Sequence, residues 1–127
     1  MRINFIIILS LSSLSLFCQN NSCVDFKIGE FKFLNPNYSE WTITRNDSIQ
    51  TEINSKTGVE IKSVIKWKSE CVYTLTCKSV SKPELKNAIG KIFEVSIIKT
   101  YNNGYTCISR GNDIQLKDLE LEMIKTK

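Results

Sequence analysis

Apolar and polar residues alternate with a period of two from Trp41 almost to the end of the chain. The apolar set falls on odd numbers: Trp41, Ile43, Ile49, Ile53, Val59, Ile61, Ile65 and Trp67, then Cys71, Tyr73, Leu75 and Cys77. It resumes at Phe93, Val95 and Ile97, and continues through Tyr101, Tyr105, Cys107, Leu119, Leu121 and Met123. Thr, Lys, Glu, Gln and Ser fill most of the even positions between them. Side chains on a strand point alternately to opposite faces, so the pattern predicts antiparallel strands with one dry and one wet face. If odd residues face inward on successive strands, each hairpin loop holds an odd number of residues. The three-residue loops Arg45-Asn46-Asp47, Lys56-Thr57-Gly58, Lys68-Ser69-Glu70 and Asn102-Asn103-Gly104 meet that condition, two of them ending in the Gly that suits a left-handed closing position. These loops set Ile53 opposite Ile61, Ile49 opposite Ile65, Trp67 opposite Cys71 and Ile65 opposite Tyr73. Glu52 then faces Lys62 on the wet side.

Two segments break the alternation. In Phe26-Lys27-Ile28-Gly29-Glu30-Phe31-Lys32-Phe33 the apolar phase slips by one at Gly29, as at a β-bulge or bend. Ser81 and Glu84 form a capping-box pair, Pro83 suits a first turn and Gly90 a terminus, which predicts one short helix near residues 82–89. Leu85, Ala88 and Ile89 of that helix would lie on the sheet or across a barrel mouth. The fold expected is all-β: an up-and-down antiparallel meander of about eight strands, as a lipocalin-like barrel or a strongly curved sheet. Closure removes exposed edges and favours the barrel.

The N-terminal stretch differs in kind. Arg2 precedes the apolar run Ile3 to Leu9, small and apolar residues continue to Phe17, and polar Gln19-Asn20-Asn21 follows. Ser10, Ser12, Ser13 and Ser15 interrupt the roughly 20 apolar residues a membrane span needs, so residues 1–18 read as a cleavable export signal. Residues 19–127 then form one β-barrel-like domain, secreted or periplasmic. Cleavage after Cys18 leaves Gln19 first; alternatively Cys18 is the lipidated first residue of an outer-membrane lipoprotein, against which bulky Phe17 argues. The remaining Cys23, Cys71, Cys77 and Cys107 read as two disulfides. Cys71 and Cys77 lie roughly 20 Å apart on one strand, too far to pair. Cys23–Cys71 with Cys77–Cys107 places each pair at one end of the meander, and the swapped pairing is the alternative.

The chain contains no His, which removes the usual Ser or Cys triads, and its cysteines lack zinc-ligand spacing. No phosphate loop or dinucleotide fingerprint appears, so no cofactor or metal is implied. Gly111-Asn112-Asp113 reads as a plain turn rather than a calcium loop. The net charge is +4, one less once Arg2 leaves with the signal, and the basic residues are scattered among acids rather than striped for nucleic acid. Asp25, Glu30, Glu40, Glu52, Glu60, Glu70 and Glu94 mostly alternate with apolar residues and are expected in solvent. Binding chemistry is confined to the inward face: Trp41, Trp67, Tyr73 and Tyr105, with Arg45 of the same parity at a hairpin mouth. Such residues either line a small-ligand pocket or fill the barrel solidly.

Several segments carry a resemblance: Cys23-Val24-Asp25-Phe26-Lys27-Ile28-Gly29-Glu30-Phe31, Ile43-Thr44-Arg45, Gln50-Thr51-Glu52, and Lys66-Trp67 followed by Cys71-Val72-Tyr73-Thr74-Leu75. Together they resemble a family of small exported proteins of Bacteroidetes-type bacteria. Some members carry the label DNA topoisomerase IV, an activity at odds with a chain that reads as exported and has no ATP-site motif. The resemblance implies Cys23–Cys71 as the family disulfide, with Cys77–Cys107 an addition. Gly29-Glu30-Phe31 is also similar to the Gly-x-Trp that opens lipocalin-like barrels, with Phe31 in place of Trp. The function expected is that of a non-enzymatic exported barrel binding a small apolar or amphipathic ligand. The rivals are a solid-cored envelope interaction module and, last, a secreted carboxylate hydrolase.

Overall fold

The computed structural model describes residues 22–112 and 118–127. Residues 1–18, read above as an export signal, and Asp113 of the Gly111 turn lie outside the described residues. Eight strands follow one another: β1 (Gly29–Phe33), β2 (Trp41–Arg45), β3 (Ile49–Asn54), β4 (Glu60–Trp67), β5 (Val72–Val80), β6 (Ile92–Thr100), β7 (Gly104–Gly111) and β8 (Leu119–Lys125). Each pairs antiparallel with the next, and β8 returns to β1, with Phe31 opposite Lys125 and Phe33 opposite Met123. The sheet is a closed up-and-down barrel. Closure satisfies the backbone of both would-be edges, β1 and β8.

Odd residues point inward on seven of the eight strands. Phe31, Ile43, Ile65, Tyr73, Val95, Ile97, Tyr105, Cys107 and Met123 form one buried cluster. The exception is β3, where Gln50 and Asn54 are buried and Ile53 is 41% exposed. The register confirms the inversion: Arg45 stands opposite Gln50, Ile43 opposite Glu52, and Glu52 opposite Ile61. The expected pairs Ile53/Ile61, Ile49/Ile65 and Glu52/Lys62 do not form. The cause lies in the two turns that flank the strand. Asn46 Oδ1 accepts from Ser48 N and Ile49 N, which closes a turn with only Asp47 and Ser48 between the paired Asn46 and Ile49. Asn54 Oδ1 likewise accepts from Lys56 N and Thr57 N, and Asn54 N donates to Val59 O across a four-residue loop. Both loops are even, so the first turns β3 over and the second restores the phase.

Elsewhere parity survives with shifts. Lys68 pairs with Val72 through Ser69-Glu70-Cys71, so Trp67 faces Tyr73 and Ile65 faces Leu75, one loop position from expectation. Lys78 bulges out between Ser79 and Cys77. The β6–β7 loop is even as well, with Tyr101 paired to Gly104, and a second bulge at Ile98 restores the phase; Tyr101, expected inside, is 41% exposed. Leu119, at the start of β8, is also exposed. Gly58 does close its loop in the left-handed region, at φ 73°. Gly104 does not; it opens β7, where any Cβ would stand 2.2 Å from the Met123 carbonyl oxygen.

The two ends of the barrel differ. A 3-10 turn, Cys23–Phe26, precedes β1, and Ser22 caps it. Phe26 plugs that end against Tyr105, with ring centroids 5.2 Å apart. Cys23 is bonded to Cys71, which sits in the β4–β5 turn, so the bridge pins the plug to the barrel. At the other end lies the expected short helix, as a 3-10 turn over Pro83–Ala88. Its capping box does not form: Lys82 occupies the cap position without a side-chain bond, and Ser81 Oγ accepts from Glu60 N instead. Ala88 turns toward the barrel interior, whereas Ile89 is exposed.

Candidate functional site

Arg45 ends β2 on an odd position, so the strand drives a guanidinium into the closed end of the barrel, 2% exposed. A buried cation is tolerable only if its N–H groups find acceptors. Nε donates to Gln50 Oε1 at 3.0 Å and Nη1 to the Phe26 carbonyl at 2.8 Å. Nη2 donates to Tyr73 Oη at 3.2 Å and Tyr105 Oη at 3.0 Å, and the two phenols are 3.1 Å from each other. The guanidinium carbon also lies 4.5 Å from the Phe31 ring centre and 4.8 Å from that of Tyr73, so negative ring faces surround the charge. Burial works against the charge, but the facing tyrosine oxygens outweigh it and hold the guanidinium above its ordinary range. Burial likewise raises both phenols, which stay neutral as acceptors and donors.

This polar knot explains why β3 can sit inverted. Partly exposing Ile53 forfeits no more than about 1.5–3 kcal/mol of apolar burial. A buried Arg45 short of a partner would lose about as much or more, and Gln50 supplies that partner only from the inverted strand.

Above the knot the barrel is hollow. The cavity measures about 440 Å³. Its walls are mainly apolar, with Phe33, Ile43, Ile61, Leu75, Phe93, Val95, Leu121 and Met123, and Ala88 and Lys91 stand at the rim. Arg45 and Tyr73 form the polar floor, and Glu52 stands on the wall from β3. The Gln50 amide donates to Glu52 Oε1 over a long 3.4 Å. Burial raises the Glu52 carboxyl; Arg45 and Gln50 pull it partly back.

No family model, curated protein or solved structure matches this chain.

Of the five side chains expected to bind, Arg45 and Tyr73 reach the cavity. Tyr105 lies fully buried outside the lining, completing the knot. Trp67 packs on Tyr73 at the closed end, centroids 4.7 Å apart, with Lys27 Nζ over its ring. Trp41 is half-buried at the start of β2 and lines nothing in the cavity. Cys77 and Cys107 are separate buried thiols rather than a second disulfide. Cys107 faces Ile97 while Cys77 N donates to the carbonyl oxygen of Lys91, six residues away and just before β6. That is roughly 20 Å along the strand at about 3.3 Å per residue, against a reach of about 7 Å. Burial raises both thiols, Cys107 to about 12, so neither is poised as a nucleophile.

The parity rule missed Gln50 and Glu52. The signal available was the pair of asparagines, Asn46 and Asn54, since Asn side chains habitually hydrogen-bond the backbone of a turn.

Proposed function

We propose that this barrel binds a small, mostly apolar molecule inside its cavity. The hollow interior of about 440 Å³ carries this reading. It falls within the range of small-molecule pockets, whose apolar walls gain from desolvation and whose few polar groups orient the ligand. A solid-cored interaction module would have its inward side chains meet, and here they leave room for about 15 heavy atoms at the roughly 30 Å³ a water molecule occupies. Against the hydrolase reading, which needs two facing carboxylates, Glu52 is the one carboxylate among the described lining residues. Residues 1–18, read as an export signal, would place this binding outside the cytoplasm, where a Cys23–Cys71 bridge persists.

Titration with the uncharged dye N-phenyl-1-naphthylamine, followed by displacement with decanol, tests the proposal. Saturable, one-to-one dye binding that decanol competes away is the expected result, together with its loss in Leu75→Trp, which fills the cavity. Dye binding unchanged by Leu75→Trp would place the dye elsewhere and refute the reading. Native mass spectrometry of protein from its own host would reveal a retained molecule.

A further inference from the structure

Among the described residues Glu52 is the one anionic side chain lining an otherwise largely apolar chamber, and its surroundings leave it under-served. Among the described residues its only hydrogen-bond donor is the Gln50 amide, at 3.4 Å. No cation among the described residues forms an ion pair with it. Arg45, the nearest candidate, spends its Nε, Nη1 and Nη2 on Gln50, Phe26, Tyr73 and Tyr105. Gln50 stands between the two charges, so Glu52 is not placed as a direct counter-ion of Arg45. Ionised carboxylates in apolar surroundings gain strongly from a charge-assisted partner.

We infer that the cavity selects ligands bearing a protonated amine, which Glu52 receives while the apolar walls hold the remainder. The inference rests on the binding reading above and adds the head group. An anionic head would meet the Glu52 carboxylate beside a guanidinium whose donors are already engaged and whose faces are covered by rings. A neutral head would leave the carboxylate as under-served as before. The raised Glu52 carboxyl agrees with this, since an incoming ammonium would draw it back toward the ionised form. Among the described residues the other charged or titratable groups lining the chamber are Arg45 and Tyr73 on the floor, Cys77 on β5, Cys107 on β7 and Lys91 at the rim. Lys91 is exposed, so solvent and salt screen its repulsion of an amine.

Decylamine, decanol and decanoate share a chain that fits the volume and differ in the head, so calorimetric titration of the three against the full chain separates the possibilities. Decylamine is expected to bind about tenfold or more tightly than decanol, the scale of one charge-assisted hydrogen bond. Decanoate should bind more weakly than either. In Glu52→Gln the amine preference should fall to within about twofold, while decanol affinity and the melting profile show the cavity intact. The amine affinity of the unaltered chain should rise with pH as Glu52 ionises, and that of decanol should stay flat. Equal binding of all three, or a preference for decanoate, overturns the inference and leaves the binding reading standing. No binding of any of them overturns both.

Discussion

Replacing Arg45 by Met keeps a long side chain against Phe31, Tyr73 and Tyr105 but removes all of the guanidinium's donors from the closed end. The loss can be worked from the contacts. Tyr73 and Tyr105 retain each other at 3.1 Å. The Phe26 carbonyl and Gln50 Oε1 lose their Arg45 donors at 2.8 and 3.0 Å. Two stranded buried acceptors cost about 1–3 kcal/mol each. The lost attraction between the cation and the rings is largely offset by sulfur–aromatic contacts. A destabilisation of about 3–4 kcal/mol follows, which for a domain of this size lowers Tm by about 15 °C or more. Urea unfolding under non-reducing conditions, followed by the fluorescence of Trp41 and Trp67, measures it. Lys32→Met, on an exposed position of β1, is the control and should change stability by under about 0.5 kcal/mol. A loss below about 1 kcal/mol for Arg45→Met, with an unchanged m-value, would refute the claim that the guanidinium holds the plug and β3 together.

The native Glu52 carboxyl binds its proton more tightly than the free one, so stability should fall as pH rises from the ordinary value of 4.5 through the raised native value and level off above it. Glu52→Gln should abolish that slope in the empty barrel and stabilise it at pH 8 by about 1.4 kcal/mol for each unit of elevation; parallel curves for the two proteins would contradict the inward placement. Cys23 and Cys71 are 48 residues apart, so opening the bridge with Cys23→Ser/Cys71→Ser should cost up to about 4 kcal/mol on chain-entropy grounds. Peptide mapping with an alkylating agent should recover Cys77 and Cys107 as thiols that react only after unfolding. Gly104→Ala must displace the Met123 carbonyl oxygen 2.2 Å from its Cβ and should cost about 1–3 kcal/mol by urea unfolding. The same change at Gly58, where nothing lies within 4 Å, should cost less.

What could be read from the residues, and what could not, divides along a physical line. Strand identity depends on local alternation, and the one face per strand that must leave water is written into each segment on its own. The eight strands were legible for that reason, as was the short turn from Pro83 in its local break of the pattern, and the closed barrel followed from the need to cover the edges. Register is another matter, because it depends on how many residues each turn consumes. Asn46 and Asn54, by accepting two backbone N–H groups each, made both turns around β3 even. That one change carried Gln50 and Glu52 into the barrel and put Ile53 outside.

The site followed the same division. Arg45 and Tyr73 could be placed inside from their odd numbers, but their partners could not, since hydrogen-bond acceptors for a buried cation come from whichever chain segments converge on it. Cys71 was displaced into a turn to meet Cys23, and the register of β5, β6 and β7 set Cys77 and Cys107 on different levels of the barrel. Sequence alone determined that the chain from Trp41 onward is a sheet with one dry face, because that requirement is met residue by residue. Only the tertiary structure decided what stands inside it. The balance between exposing an isoleucine and leaving a guanidinium short of acceptors exists only once β2, β3, β5 and β7 share one interior.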